Sequence, residues 1–141
     1  RFAAIGALFV KEGYQVVLVG SEDEKNVAQE VMCVAKETII NLVGKTSIRE
    51  LGALMRACAL FIGNDAGPMH MAAAVGCPVV GLFGPTDPMV WGPRGKNVQT
   101  IYKGLDCREC FHPGCQRGEM SCMKLIGVEE VLEAAKVLMF G

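Results

Sequence analysis

The sequence predicts an α/β chain built on a doubly wound parallel sheet. Three observations predict it. Short, β-branched apolar runs alternate with stretches of helical periodicity. The connections between them are only a few residues long. Two consecutive apolar runs, 60–63 and 79–83, each open into a polar, glycine-bearing loop. Alternation of this kind argues for parallel strands with helices packed on them, and ligands bind such sheets at the carboxyl ends of the strands.

Each element has its own signal. Residues 2–11 place apolar side chains at helical spacing and are closed by Gly13, a good helix stop. Residues 15–19 form a β-branched run that reads as a buried strand. A loop over 20–23 leads to a helix over 24–35, and 39–43 reads as a short strand. Ser47 with Glu50 three residues on is a capping box, and 48–57 is its helix. Residues 60–63 are a strand, 68–75 a helix closed by Gly76, and 79–83 a strand. A long loop over 84–96 precedes a last strand at 98–101. The segment 105–124 is rich in cysteine, and 128–140 is a terminal amphipathic helix.

Composition narrows the function classes. The 141 residues fit one domain, and a hydrophobic content of 51% is enough for a real core. Net charge is −1 with no basic block, which argues against nucleic acid as a partner. No apolar run approaches the ~20 residues that span a bilayer, and no secretory signal is evident. The chain opens on Arg1 inside a helical pattern, so it is expected to be the C-terminal part of a longer protein.

The run 61–74 carries the most chemistry. It reads as a strand, a polar turn and the start of a small-residue helix. A helix N-terminus offers free N–H groups and the positive end of the dipole, which suit a phosphate. Gly67 lets the backbone approach a ligand, and Pro68 suits the first helical position. His70 lies in the first turn and reaches the same anion. Asp65 either accepts from a ligand hydroxyl or caps the helix. Trp91 either stacks on a base or anchors its loop, and Met69 and Met71 read as core filling.

Seven cysteines fall into two groups. Cys33, Cys58 and Cys77 sit among apolar residues and read as small core residues. Cys107, Cys110, Cys115 and Cys122 form a Cys-x2-Cys-x4-Cys-x6-Cys cluster with His112 inside it. Three readings stand: a structural zinc site, an iron–sulfur cluster, or reduced thiols or disulfides formed on handling. The second Cys-x2-Cys knuckle of a zinc ribbon is missing, and no metal or other cofactor is assigned. The segment reads as a structural staple either way.

Asp65-Ala66-Gly67-Pro68-Met69-His70, with the alanines at 72–74, Gly76, Pro78 and the Leu82-Phe83-Gly84-Pro85-Thr86-Asp87-Pro88 run, resembles the C-terminal half of glycosyltransferase family 9. This is the family of ADP-heptose:lipopolysaccharide heptosyltransferases, and the resemblance extends over nearly the whole chain. It implies the GT-B architecture, two Rossmann-like domains facing across a cleft. This chain would be the donor-binding half, and the missing N-terminal domain would hold the acceptor site and the catalytic base. It implies inverting chemistry without a metal, a nucleotide-sugar donor such as ADP-heptose, and a lipid-linked saccharide acceptor. It implies a cytoplasmic location peripheral to the inner membrane.

The same resemblance assigns residues. Asp65, Gly67 and His70, with Ala66 and Pro68 between them, match the motif that holds the donor's phosphates and sugar. Lys45 and Thr46 match the stretch lining the nucleoside pocket, although Thr46 also stands beside the cap at Ser47. Glu24 is the first candidate for the ribose and Glu22 the second; acidic residues in a first helical turn are also ordinary dipole partners. Thr86 and Asp87 lie on the loop facing the cleft. The family usually has Ser or Thr where this chain has Ala66, so one hydroxyl contact to the donor is absent. His70 is the catalytic candidate, because a fixed donor at the leaving diphosphate stabilises charge that develops in the transition state. The competing readings are a GT-B enzyme using a different nucleotide-sugar, as a UDP-sugar transferase or an epimerase, and a nucleotide- or metal-binding module without turnover.

Overall fold

The computed structural model describes residues 1–35, 39–107, 110, 115–118 and 121–141. The chain divides into two compact units, Arg1–Leu51 and Gly52–Gly141.

In the first unit, α1 (Phe2–Lys11) leads to β1 (Val16–Leu18) through Gly13, whose φ of 89° lies in the left-handed region. A 3-10 turn (Glu22–Glu24), α2 (Lys25–Ala35) and β2 (Ile39–Asn41) follow. β1 and β2 pair in parallel, with Val16 opposite Ile39 and Leu18 opposite Asn41. Ala3, Ala35 and Ile39 form the core, and Val10, Val16, Leu18, Val31 and Met32 pack against it. Cys33 corrects the sequence reading. It is exposed, because α2 turns Ala28 and Ala35 inward and leaves Cys33 and Val34 on the outer face.

Helix α3 (Ile48–Ala57) starts where the Ser47–Glu50 spacing predicts. The Ser47 hydroxyl and backbone N–H both donate to Glu50 Oε2 at 2.7 Å, and the Glu50 N–H donates back to the hydroxyl at 3.3 Å. These bonds satisfy donors that a helix start leaves orphaned.

The second unit holds β3 (Phe61–Asn64), α4 (Gly67–Ala74), β4 (Val79–Phe83), α5 (Pro88–Trp91), β5 (Val98–Tyr102), α6 (Cys122–Leu125) and α7 (Val128–Phe140). β4 is the middle strand and pairs in parallel on both sides. All five of its residues are buried, as expected for a strand covered on both faces. Helices α4, α6 and α7 all pack on it. Gly81 is the fitting point for α4: a Cβ there would lie 2.8 Å from the Met69 sulfur and 3.1 Å from the Phe83 ring. Met69 is fully buried in the space that the missing side chain leaves. Beyond β5, Lys103 donates to Glu130 of α7 at 2.6 Å.

All five expected strands are present, and every pairing among the described residues is parallel. Two short helices were not expected. α5 lies within the 84–96 loop, and α6 closes the cysteine segment with Ser121 as its N-cap. His112 and several other residues of 105–124 lie outside the described residues.

Two outcomes follow from this packing. Met69→Ala leaves a cavity beside Gly81 and is expected to destabilise the chain by about 2–5 kcal/mol, read as a lower denaturant midpoint at constant slope. The second concerns pH. The Ser47 hydroxyl first, and its N–H second, hold the Glu50 carboxyl below its ordinary 4.5. A carboxyl depressed in the folded state stabilises above its unfolded pKa, and that contribution is lost as pH falls through the folded value. Between neutral pH and about pH 3, wild type is therefore expected to lose more stability than Ser47→Ala in paired unfolding titrations.

Candidate functional site

Parallel pairing decides where the candidate residues of the second unit lie. Asn64 pairs with Leu82, so β3 and β4 end at one edge, and the loops that follow them leave from that edge. The Asp65 N–H donates to the Leu82 carbonyl at 3.1 Å and fixes the first loop to β4.

Asp65 and His70 come together there. His70 Nε2 lies 3.7 Å from Asp65 Oδ1, close enough to pair when the ring is protonated. The Asp65 side chain is 18% exposed and the His70 ring 47% exposed, so the histidine keeps a free face. Asp65 does not cap α4. The N-cap is Ala66, in extended conformation and with no side-chain hydrogen bond, because alanine has no acceptor to offer. The helix start also has fewer free donors than its position promises. Pro68 has no N–H, and the Met69 N–H is given to the Ala66 carbonyl at 3.0 Å. Gly67 retains an N–H with no intrahelical partner, and a Cβ on Gly67 would meet nothing within 4 Å. A ligand can therefore approach the Gly67 backbone, the dipole end and the His70 ring.

The loop after β4 is built by capping. Asp87 Oδ1 accepts from the Met89 N–H at 2.8 Å, and Pro88 occupies the first turn of α5. This leaves the second Asp87 oxygen for other partners. Thr86 is half-buried between β4 and this cap. Gly92 then donates to the Pro88 carbonyl at 2.8 Å and comes so close to that oxygen that a Cβ would overlap it. Only glycine makes this turn without displacing backbone. It carries the chain past the buried Pro93 to Arg94.

An open hollow of about 360 Å³ lies between this loop and α4, lined by His70, Ala74, Val90, Trp91, Gly92 and Arg94. Trp91 is 52% exposed and is thus not a buried anchor. Sequence reasoning missed Arg94. Its only signal was the glycine–proline turn just before it, which shows its meaning once Gly92 is seen against Pro88.

The candidates of the first unit lie at the carboxyl ends of β1 and β2. Leu42 N–H donates to Leu18 at 2.9 Å and Gly44 N–H to Gly20 at 3.0 Å, so the two loops leave side by side. Glu24 Oε2 accepts the Ser21 N–H at 2.7 Å and the Ser21 hydroxyl at 2.9 Å, a second capping box. Glu22 pairs with Lys25 and packs over Gly44, whose φ is +69°. Lys45 donates to the Asn41 carbonyl at 3.0 Å, and Thr46 beside it is half-buried.

The remaining cysteines are varied. Cys110 and Cys115 are exposed, while Cys107 and Cys122 are half-buried. Among the described residues no three His, Cys, Asp or Glu side chains gather as a metal site would require. Burial first, then the neighbouring Cys58, pushes the Cys77 thiol up to about 11, so it is a poor nucleophile at neutral pH.

The model of glycosyltransferase family 9 (heptosyltransferase) matches residues 1–121. The chain belongs to glycosyltransferase family 9. It is 33% identical over 138 residues to lipooligosaccharide heptosyltransferase 2 of Campylobacter jejuni, covering 94% of this chain and 43% of that protein. It is 41% identical over 108 residues to lipopolysaccharide heptosyltransferase 3 of Escherichia coli K12, covering 74% of this chain and 31% of that protein. A solved family 9 glycosyltransferase from Veillonella parvula superposes with a TM-score of 0.83 at 29% identity, over 98% of this chain and 40% of that one. The solved ADP-heptose LPS heptosyltransferase II of E. coli gives 0.81 at 27%, with the same coverage. The Rossmann-like α/β class expected from the sequence thus holds within the family. The chain spans between 31% and 43% of the length of these relatives. Among the described residues no helix is long and apolar enough to cross a membrane.

Trp91 is the chain's single tryptophan and reports on the loop. Gly92→Ala forces the α5 turn open, and the indole emission is expected to shift red and to quench more readily with acrylamide. Unchanged emission would show that the loop does not depend on this turn.

Proposed function

We propose that this chain is the donor-binding part of an inverting, metal-independent GT-B glycosyltransferase. It moves a heptose from ADP-heptose to a lipopolysaccharide inner-core acceptor. The observation that carries this reading is the approach of Asp65 to His70, which lines an open hollow, at the carboxyl edge of parallel strands. Family membership supplies the reaction class.

The chemistry follows from the charges. Transfer breaks the bond between the anomeric carbon and the diphosphate, and negative charge grows on the leaving diphosphate. The His70 ring, the Gly67 N–H and the α4 dipole meet that charge with groups fixed before the reaction. Asp65 sits poorly against a diphosphate and accepts from the sugar hydroxyls instead. Glu24 accepts from the ribose through Oε1, since Oε2 is engaged by Ser21; Glu22 is the second candidate. Lys45 and Thr46 line the nucleoside site. Thr86 and the second Asp87 oxygen contact the donor from the β4 loop. The base, the acceptor site and the contact with the cytoplasmic face of the inner membrane belong to the remainder of the protein.

Calorimetric titration of the full-length protein with ADP, UDP and GDP tests the reading. Preference for ADP is expected, and preference for UDP would assign a different nucleotide-sugar. His70→Ala is expected to slow transfer by about 10²–10³-fold. Chelation with EDTA is expected to leave the rate unchanged.

A further inference from the structure

We propose that Arg94 is a second donor-binding cation, which holds the diphosphate in the hollow that it shares with His70. The inference rests on the donor-site reading above.

Arg94 lines the same hollow as His70. Ion pairs among the described residues include Lys25 with Glu22, Lys103 with Glu130, and Arg117 with Asp106, none of which involves Arg94. Among the described residues, no carboxylate lies within ion-pair distance of the Arg94 guanidinium. An exposed arginine without a partner is common on a surface. This one stands at the rim of the hollow, two residues after a backbone turn that only glycine at 92 makes without displacing Pro88, and next to a buried proline. That turn fixes where the backbone carries the arginine.

The charges also call for it. Asp65 lies beside His70 and offsets its charge when the ring is protonated. At the helix start Pro68 has no N–H and the Met69 N–H is given to the Ala66 carbonyl. A diphosphate brings more negative charge than these groups can meet. A guanidinium is always charged, and its planar fork matches two phosphate oxygens at once. Sharing the hollow with His70, it binds the phosphates and orients the leaving group without joining the bond-breaking step.

The test uses the full-length protein and four ligands: ADP, UDP, inorganic pyrophosphate and adenosine. Wild type, Arg94→Ala, Arg94→Lys and His70→Ala are titrated by calorimetry. Arg94→Ala is expected to weaken ADP and pyrophosphate by about 10- to 100-fold and to leave adenosine unchanged. Arg94→Lys is expected to recover part of the loss, since it restores the charge but not the fork. If Arg94→Ala binds ADP and pyrophosphate as tightly as wild type while His70→Ala loses them, the role of Arg94 is overturned and the donor-site reading stands. Equal losses for adenosine and ADP would show that Arg94 only shapes the loop, which also overturns it. Preference for UDP, still dependent on Arg94, would keep the arginine's role and overturn the ADP assignment. Failure of wild type to bind any of the four at millimolar concentration would overturn both.

Discussion

Strand β4 is hydrogen-bonded in parallel to a neighbour on each side, and the second unit is arranged around that constraint. A strand covered on both faces cannot alternate polar and apolar residues, so Val79–Phe83 is apolar throughout. Parallel neighbours also require long crossovers, which supply α4 on one side and the α5 loop on the other. Both strand ends then face the same way. The Asp65–His70 turn and the Thr86–Asp87 loop are neighbours because the register leaves them no other edge.

The chemistry of the edge depends on what α4 lacks. Its N-cap carries no side-chain acceptor, its first proline carries no donor, and its first glycine carries no side chain. Each omission opens the helix start to a ligand, and each is tolerable only because the helix is secured elsewhere. Met69 does that, filling the place that Gly81 leaves in the sheet. Packing on the inner face of α4 and access at its tip are two consequences of one short sequence.

Much of this was legible beforehand, and the reasons differ by element. Helix α3 was legible because Ser47 and Glu50 stand at capping-box spacing. β4 was legible because burial on both faces erases every polar residue. The Asp65–His70 turn was legible because a strand, a glycine–proline pair and a histidine stand in sequence. The same Ser-x-x-Glu spacing at Ser21 and Glu24 marks a helical start that the sequence reading treated as loop. Asp87–Pro88 is likewise a cap followed by a first-turn proline, hidden in an unusually short helix. Cys33 was misplaced because a helix sorts its residues by angle, whereas hydrophobicity alone does not. Arg94 was beyond sequence reasoning. Its place depends on a close approach of two backbone segments, Gly92 and Pro88, which the glycine–proline pair before it does not reveal until the two are seen together.

The double pairing of β4 also ranks the parts of this unit by how readily they open. Backbone amides held between two neighbours and shielded by helices exchange their hydrogens only when a large cooperative region unfolds. The β4 amides fit that description, whereas α5 is four residues long and its Met89 and Val90 are largely exposed. The loop is therefore expected to open far more often than the strand that carries it. A ligand would meet one wall that is permanent and another that yields, both anchored in the same five residues.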